Sequence, residues 1–174
     1  THHIDSVWQW HNSPAPVLYK TGAGRHPVLF SVYFTQDINM KKVLIFSLNY
    51  YPRFIGGAEI AIKEITDRIP TEEVEFHMVT LRFGSTLPKI EKIGNVTVHR
   101  IGFVTKNPSI GDLKRMPLHL NKYMYQVTAV AKALQLHKEH SFDGIWAMMA
   151  HATGSPAALF KTIHPEVTYL LTLQ

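Results

Sequence analysis

A regular exchange of strand-like and helix-like patterns from residue 40 onward constrains the fold of this chain more than any other feature. The run 43–48, VLIFSL, is almost wholly apolar, which is typical of a strand buried on both faces of a parallel sheet. Further strands are predicted at 76–83, 96–103, 145–150 and 167–173, and helices at 58–69, 118–140 and 155–163. This alternation predicts an α/β fold, in which right-handed crossovers build a parallel sheet with helices on both faces.

Two of the predicted helices carry an apolar face that indicates how they pack. In the helix 58–69 the inward side chains are expected to be Ala58, Ile62, Ile65 and Ile69, and Pro70 ends the helix. In the helix 118–140 the expected inward side chains are Leu120, Met124, Val127, Val130 or Ala131, and Leu134.

Residues 1–39 differ in character from the rest of the chain. They hold four histidines and two of the three tryptophans, Trp8 and Trp10, and they show no helical periodicity. We interpret them as a leader or non-native extension that is poorly structured, followed by one domain at 40–174. The alternative is an ordered arm that packs its tryptophans on that domain, because neighbouring exposed tryptophans would make the surface adhesive.

Composition excludes several classes of protein. The 174 residues contain no cysteine, which rules out a disulfide scaffold, a thiolate metal site and a cysteine nucleophile. The formal net charge of +5 favours anionic partners without choosing among phosphate, nucleic acid and membrane. Nucleic acid is disfavoured because aromatic and basic residues do not alternate on any predicted strand. No apolar stretch approaches the roughly 20 residues of a spanning helix, and we expect a soluble, cytoplasmic protein.

The loop after the first strand of this domain contains the clearest candidate for a binding site. Gly56 and Gly57 stand at the predicted start of the helix 58–69, with Arg53 nearby. Glycines let backbone N–H groups approach a ligand closely, and a helix N-terminus favours a phosphate or another anion. The alternative is an ordinary tight turn. Neither a dinucleotide fingerprint nor a P-loop occurs in the sequence. Ligands of parallel sheets bind outside the carboxyl ends of the strands, so the loops 49–57 and 151–154 are the ones of interest.

The segment 50–59, with Tyr50-Tyr51-Pro52 and Gly56-Gly57-Ala58-Glu59, resembles the start of a family 4 glycosyltransferase of the two-domain GT-B type. The segments 142–158 and 170–174 resemble the end of the same N-terminal domain. The resemblance covers residues 40–174 and implies a Rossmann-like parallel sheet with helices on both faces, the N-terminal half of a GT-B fold. It further implies sugar transfer from a nucleotide-sugar donor to an acceptor.

In that family the N-terminal domain shapes the acceptor side, and its glycine loop faces the donor phosphates. The resemblance therefore assigns Arg53, Gly56, Gly57 and Glu59 to donor-phosphate or acceptor binding, and His151 to a catalytic role near the transferred sugar. The letters around His151 depart from the family's His-Ala-His pattern, so a local loop histidine is the equal alternative.

The family's donor-binding C-terminal domain has no counterpart in the sequence, so this chain is expected to be inactive as a hexosyltransferase by itself. No cofactor is expected, and a nucleotide-sugar donor is expected only in a full-length enzyme. Whether the chain is an enzyme stays open, and the alternative is a non-catalytic Rossmann-like module that binds an anion or another ligand.

Two further expectations concern partners. Lys106, Lys114 and Arg115 lie among apolar residues, and they form either a solvated loop or a patch for a lipid-linked acceptor and peripheral contact with the inner membrane face. No pair of histidines has the i, i+4 spacing of a helical zinc site, so we expect no metal in this domain.

Overall fold

The computed structural model describes residues 17–21, 28–32, 40–53, 55–109 and 111–172. The chain divides into two compact units, Thr1–Ile38 and Asn39–Gln174. In the first unit, strands β1 (Val17–Thr21) and β2 (Val28–Val32) pair antiparallel, with Val17 opposite Val32. The expectations for Trp8 and Trp10 lie outside the described residues.

The second unit is built on one six-stranded sheet. Along the chain its elements are β3 (Lys41–Phe46), α1 (Gly57–Thr66), β4 (Val74–Leu81), β5 (Ile90–Ile93), β6 (Val96–Ile101), α2 (Asn121–His140), β7 (Gly144–Met148), α3 (Ser155–Ile163) and β8 (Thr168–Thr172). The strand order is β5-β6-β4-β3-β7-β8, and all pairings are parallel except that of β5 with β6. The predicted α/β, Rossmann-like class is confirmed, whereas β5 was not predicted, because four residues with two charges give no strand signal.

Hydrophobic side chains cover both faces of this sheet. On one face Ile45 and Met78 pack with Ile62 of α1. On the other face Leu44 packs in a cluster that includes Tyr125 of α2 and Phe160 of α3. Adjacent residues of one strand therefore enter opposite clusters, as the twofold alternation of a strand requires.

The prediction of which side chains of α2 face the sheet is wrong, because the buried face of the helix is rotated by part of a turn from the predicted one. Met124 and Val127 are 44% and 68% exposed, and Ile65 of α1 is also 46% exposed. The residues of α2 that face the sheet are instead Asn121, Tyr125, Ala129, Val130, Ala133 and Leu136. Two hydrogen bonds fix this rotation: the Tyr125 hydroxyl, fully buried, donates to the backbone carbonyls of Val79 at 2.8 Å and Ser47 at 3.2 Å. Alanines beside it let the helix approach the strands closely.

Among the described residues, no helix is both long enough and apolar enough to cross a bilayer.

Candidate functional site

The strand order reverses at β3, and this reversal locates the candidate site. The chain leaves β3 through α1 to β4 on one side, whereas β7 pairs with β3 on the other side. In open parallel sheets a crevice forms at such a switch point, outside the carboxyl ends of the strands. The loop 49–57 follows β3 and the turn 150–154 follows β7, so both loops singled out from the sequence begin at this edge.

The two glycines of the first loop lie at the N-terminus of α1. Gly56 is the N-cap, with φ −122° and ψ −167°, and Gly57 is the first helical residue. A Cβ added to Gly57 would meet no described atom within 4 Å, whereas one on Gly56 would lie 3.1 Å from Glu59 Oε2. Neither position has the positive φ seen at Gly94 and Gly102, so the backbone would accept other residues at both. The space above Gly57 is therefore open to a ligand.

Glu59 is engaged by its own helix. Its carboxylate accepts a hydrogen bond from the Gly56 N–H at 2.6 Å, and the residue is only 7% exposed. This is the carboxylate half of a capping box, and it satisfies one free donor of the helix start. The negative charge also opposes a second anion there, so a phosphate would need a compensating cation. Arg53, half-buried in the same loop, has no ion-pair partner among the described residues and is available for that role.

A buried arginine anchors the loop from the neighbouring strand. Arg100 of β6 donates to the Tyr51 carbonyl at 2.8 Å and to the Pro88 carbonyl at 3.1 Å, and its Nη2 lies 2.7 Å from Glu91 Oε2. Its side chain is 1% exposed. A buried cation is stable only when it is paired and hydrogen-bonded, so Arg100 ties the position of the loop to the sheet. Sequence reasoning did not identify it.

A small cavity opens on the α2 side of the same edge. It measures about 140 Å³ and is lined by Leu48, Asn49, Leu81, Phe83, Leu113, Leu118, His119 and Lys122. Among the described residues the buried Oδ1 of Asn49 has no hydrogen-bond partner. An apolar wall with a few convergent polar groups is the usual composition of a small-molecule site. The sequence does not single out Asn49, because one asparagine after a strand carries no distinguishing pattern.

The turn after β7 is tightly held. Residues Ala150–Gly154 form one π-helical turn, and the Thr153 hydroxyl donates to the carbonyls of Met148 at 2.5 Å and Met149 at 2.7 Å. Met149 adopts φ +75° and ψ +118°, which is strained for a residue with a side chain. Strained residues of this kind cluster at binding and catalytic sites. The side chain of His151 lies outside the described part of the chain, so its predicted catalytic role stays a prediction.

The predicted basic patch is exposed. Lys106, Lys114 and Arg115 all face solvent, and Arg115 lies 3.6 Å from Asp112. Hydrogen bonds from Ser109, with the nearby Arg115, lower the pKa of Asp112. Exposed ion pairs of this kind contribute little stability. Lys122, which lines the cavity, lies 5.0 Å from the centre of the exposed Tyr123 ring.

Histidines cluster on the α2 side of the sheet, in the middle of β4 and β6 and beside the end of α2. His77 of β4 is buried, with Nε2 2.8 Å from Glu75 Oε1 and Nδ1 3.1 Å from Nε2 of His99 in β6. Its ring centre lies 4.1 Å from that of His140 at the end of α2. Burial lowers the pKa of His77, and it lowers that of His99 to about 4, with the neighbouring His77 adding to the shift. Burial alone would raise the pKa of Glu75, but the hydrogen bond with His77 and the charges of His77, Lys42 and His140 together outweigh it, and the pKa is lowered.

No protein-family model and no curated protein matches the chain. Two solved structures of sucrose-phosphate synthase from Thermosynechococcus elongatus are similar to it, both with a TM-score of 0.48. One is 12% identical over 76% of this chain and 33% of that chain, and the other is 11% identical over 77% of this chain and 64% of that chain. The chain thus spans about a third of the first structure's length.

Proposed function

We propose that residues 39–174 form the acceptor-side domain of a glycosyltransferase, which transfers a sugar from a nucleotide-sugar donor to an acceptor. One observation carries this proposal: the loop with the glycosyltransferase-like motif lies at the switch point of the sheet, and its first residue, Asn49, lines a cavity there. Sugars are bound through hydroxyl groups, and an amide that both donates and accepts hydrogen bonds suits them.

Each residue then has a definite role. Asn49, His119 and Lys122 would bind hydroxyl groups of the acceptor, while Leu81 and Leu118 contact its apolar ring face. The open backbone at Gly57 would approach the donor diphosphate, with Arg53 offsetting the charge of Glu59. Glu59 itself positions the loop through Gly56. His151 would act near the transferred sugar.

The size of the cavity limits what this unit binds by itself. Sites for drug-sized ligands measure about 300–1,000 Å³, and this cavity measures about 140 Å³. It can enclose part of one sugar ring but not a nucleotide sugar. We therefore place the nucleotide on a separate donor-binding domain that would close over the edge of the sheet, and we expect no cofactor.

The acceptor would be a sugar or a lipid-linked sugar. Exposed apolar side chains, including Met116 at 67% and Val127 at 68% exposure, lie in the segments that also carry Lys114, Arg115 and Lys122. Apolar and basic groups together favour contact with an anionic membrane surface, which would be the inner face in a cytoplasmic protein. Cosedimentation with vesicles containing phosphatidylglycerol, but not with pure phosphatidylcholine vesicles, would support the lipid-linked acceptor.

The direct test is product formation with a panel of nucleotide sugars. We expect none from this chain alone, and transfer once a GT-B donor-binding domain is joined after Gln174. Turnover at enzyme-like rates by the chain alone would overturn the division of roles between the two domains.

The alternative is a non-catalytic ligand-binding module, which is favoured by a cavity formed within one unit. Tight binding of a small ligand together with no transfer in the joined protein would select the module.

A further inference from the structure

Three potential metal ligands converge at the amino-terminal end of β4. Glu75 and His77 are two residues apart on one strand, so their side chains lie on the same face of the sheet. His140, the last residue of α2, approaches them from the helix that covers that face. One ligand atom from each residue lies within 4.8 Å of the other two.

We propose that Glu75, His77 and His140 bind a divalent transition metal, for which Zn²⁺ is the best match. Two imidazoles and one carboxylate form a donor set that Zn²⁺ accepts in tetrahedral geometry, with one position left for water or another ligand. The proposal does not rest on sugar transfer, because none of the three ligands lines the cavity of the candidate functional site or belongs to its two loops.

The ligand atoms, all within 4.8 Å of one another, would have to move by up to about 1.5 Å. Zn–N and Zn–O bonds of about 2.0–2.1 Å at tetrahedral angles place ligand atoms about 3.3 Å apart. His77 Nε2 and Glu75 Oε1 are now 2.8 Å apart, so this pair would open by about 0.5 Å. Glu75 and His140 are partly exposed and can make this adjustment, whereas the buried His77 provides a fixed point.

His99 supplies the second contact that a histidine ligand needs. A metal-binding imidazole usually donates its other N–H to a neighbouring acceptor, which fixes the ring. When Nε2 of His77 binds the metal, its Nδ1–H can donate to Nε2 of His99 across the existing 3.1 Å contact. The 5% exposed His99 therefore acts as a positioning residue rather than a ligand.

The two oxygens of Glu75 have different partners. Glu75 presents Oε1 to His77, while Oε2 lies 3.8 Å from the ammonium group of Lys42. Coordination through Oε1 leaves the contact with Lys42 in place. The metal would replace the contact between His77 Nε2 and Glu75 Oε1, and it would tie the end of α2 to β4.

A second cluster provides a matched control. His137, His164 and Glu166 also bring one ligand atom each within 4.8 Å of one another. There, however, the Phe142 N–H donates to Nδ1 of His137 at 3.1 Å. A neutral His137 must then carry its proton on Nε2, the nitrogen that faces Glu166, and so cannot bind a metal through that atom.

The experiment compares the metal-free full chain with three variants: His140→Ala and Glu75→Gln at the proposed site, and His164→Ala at the control cluster. Zn²⁺ affinity is measured by competition with a chromophoric chelator, and Co²⁺ is added separately to follow the visible absorption of a tetrahedral site. Thermal unfolding with and without Zn²⁺ gives a readout that does not depend on activity. His140 is half-buried at the last residue of α2, so we expect the His140→Ala variant to keep the fold.

We expect one Zn²⁺ per chain to bind with a Kd below about 1 µM and to raise the Tm by roughly 5–15 °C at a hundredfold excess over the Kd. His140→Ala and Glu75→Gln should each weaken this binding at least about tenfold, and His164→Ala should change it less than about twofold. The chain also holds histidines within 1–38, so the comparison of variants, rather than total metal uptake, decides. The proposal is overturned if all four proteins bind Zn²⁺ equally, if His164→Ala alone loses binding, or if no Tm shift occurs at about 100 µM Zn²⁺.

Discussion

Replacement of Gly57 by alanine separates ligand binding from folding. An added Cβ at this position would meet no described atom within 4 Å, and the residue lies at the first position of α1 with an ordinary backbone conformation. The substitution therefore adds bulk only in the open space where we expect a ligand. A larger residue such as valine would add β-branching to the helix start and make the result harder to interpret.

The expected magnitudes follow from these contacts. Alanine reduces the conformational freedom of the unfolded chain and should raise the free energy of unfolding by about 0.4–1 kcal/mol. For a unit of this size that is a Tm increase of roughly 1–5 °C. A contact at a helix N-terminus contributes about 0.3–2 kcal/mol, so losing it should weaken ligand binding roughly two- to thirtyfold.

Gly56→Ala is the matched control, because its effect on stability should have the opposite sign. Its Cβ would lie 3.1 Å from Glu59 Oε2, so the carboxylate that accepts from the Gly56 N–H would have to shift by a few tenths of an ångström, and alanine is a poorer N-cap residue than glycine. We expect a loss of about 0.5–1.5 kcal/mol in the free energy of unfolding.

The assay is urea unfolding together with an NMR titration of each protein with inorganic pyrophosphate. If Gly57→Ala is more stable and binds pyrophosphate as well as the original chain, the loop is only a turn and the reasoning fails. A loss of stability in Gly57→Ala would show instead that the space above Gly57 is filled.

Three further predictions test other parts of the account. Arg100→Leu should lower the free energy of unfolding by about 2–4 kcal/mol, because it leaves the Tyr51 carbonyl and Glu91 without their buried partner. A urea titration in which the free energy of unfolding falls by less than about 0.5 kcal/mol would contradict the anchoring role. Hydrogen bonds from the Lys42 N–H and the Lys41 ammonium lower the pKa of Asp143, so the stability that this carboxylate contributes is present above the ordinary pKa and is lost as the pH falls through the lowered value. The variant Asp143→Asn should therefore be less stable than the original chain at pH 7 and equally stable in strong acid. A difference in stability that does not depend on pH would refute this. A chain that begins at Met40 should keep its Tm within about 2 °C, and a large fall would show that the preceding residues contribute to the core.

The sheet could be predicted because its signal is local. An apolar run such as 43–48 and the helical spacing of Ala58 and Ile62 both lie within a dozen residues, and both correspond to buried positions in the structure. The rotation of α2 could not be predicted in this way. Met124 and Val127 fit an apolar stripe as well as Ala129 and Ala133 do, and the choice depends on hydrogen bonds from Tyr125 to strands that are 46 and 78 residues distant.

Only the part of the candidate site that lies within a single loop could be predicted from the sequence. The segment with Gly56 and Gly57 stands out in the sequence, whereas Arg100 and Lys122 reach the same edge from β6 and α2. The cluster of Glu75, His77 and His140 likewise escaped a search for histidines at helical spacing, because its members come from a strand and from the far end of a helix.

The central claim is that ligands of this protein bind at the carboxyl edge of the sheet, and mapping amide chemical shifts tests it most directly. The chain is titrated with free monosaccharides, with methyl glycosides and with uridine diphosphate in separate experiments. We predict that at least one sugar shifts the amides of Asn49 and of the turn 150–154, and that uridine diphosphate shifts those of Gly56 and Gly57. Shifts confined to the region around His77 and His99, or no shifts at millimolar ligand, would contradict the claim.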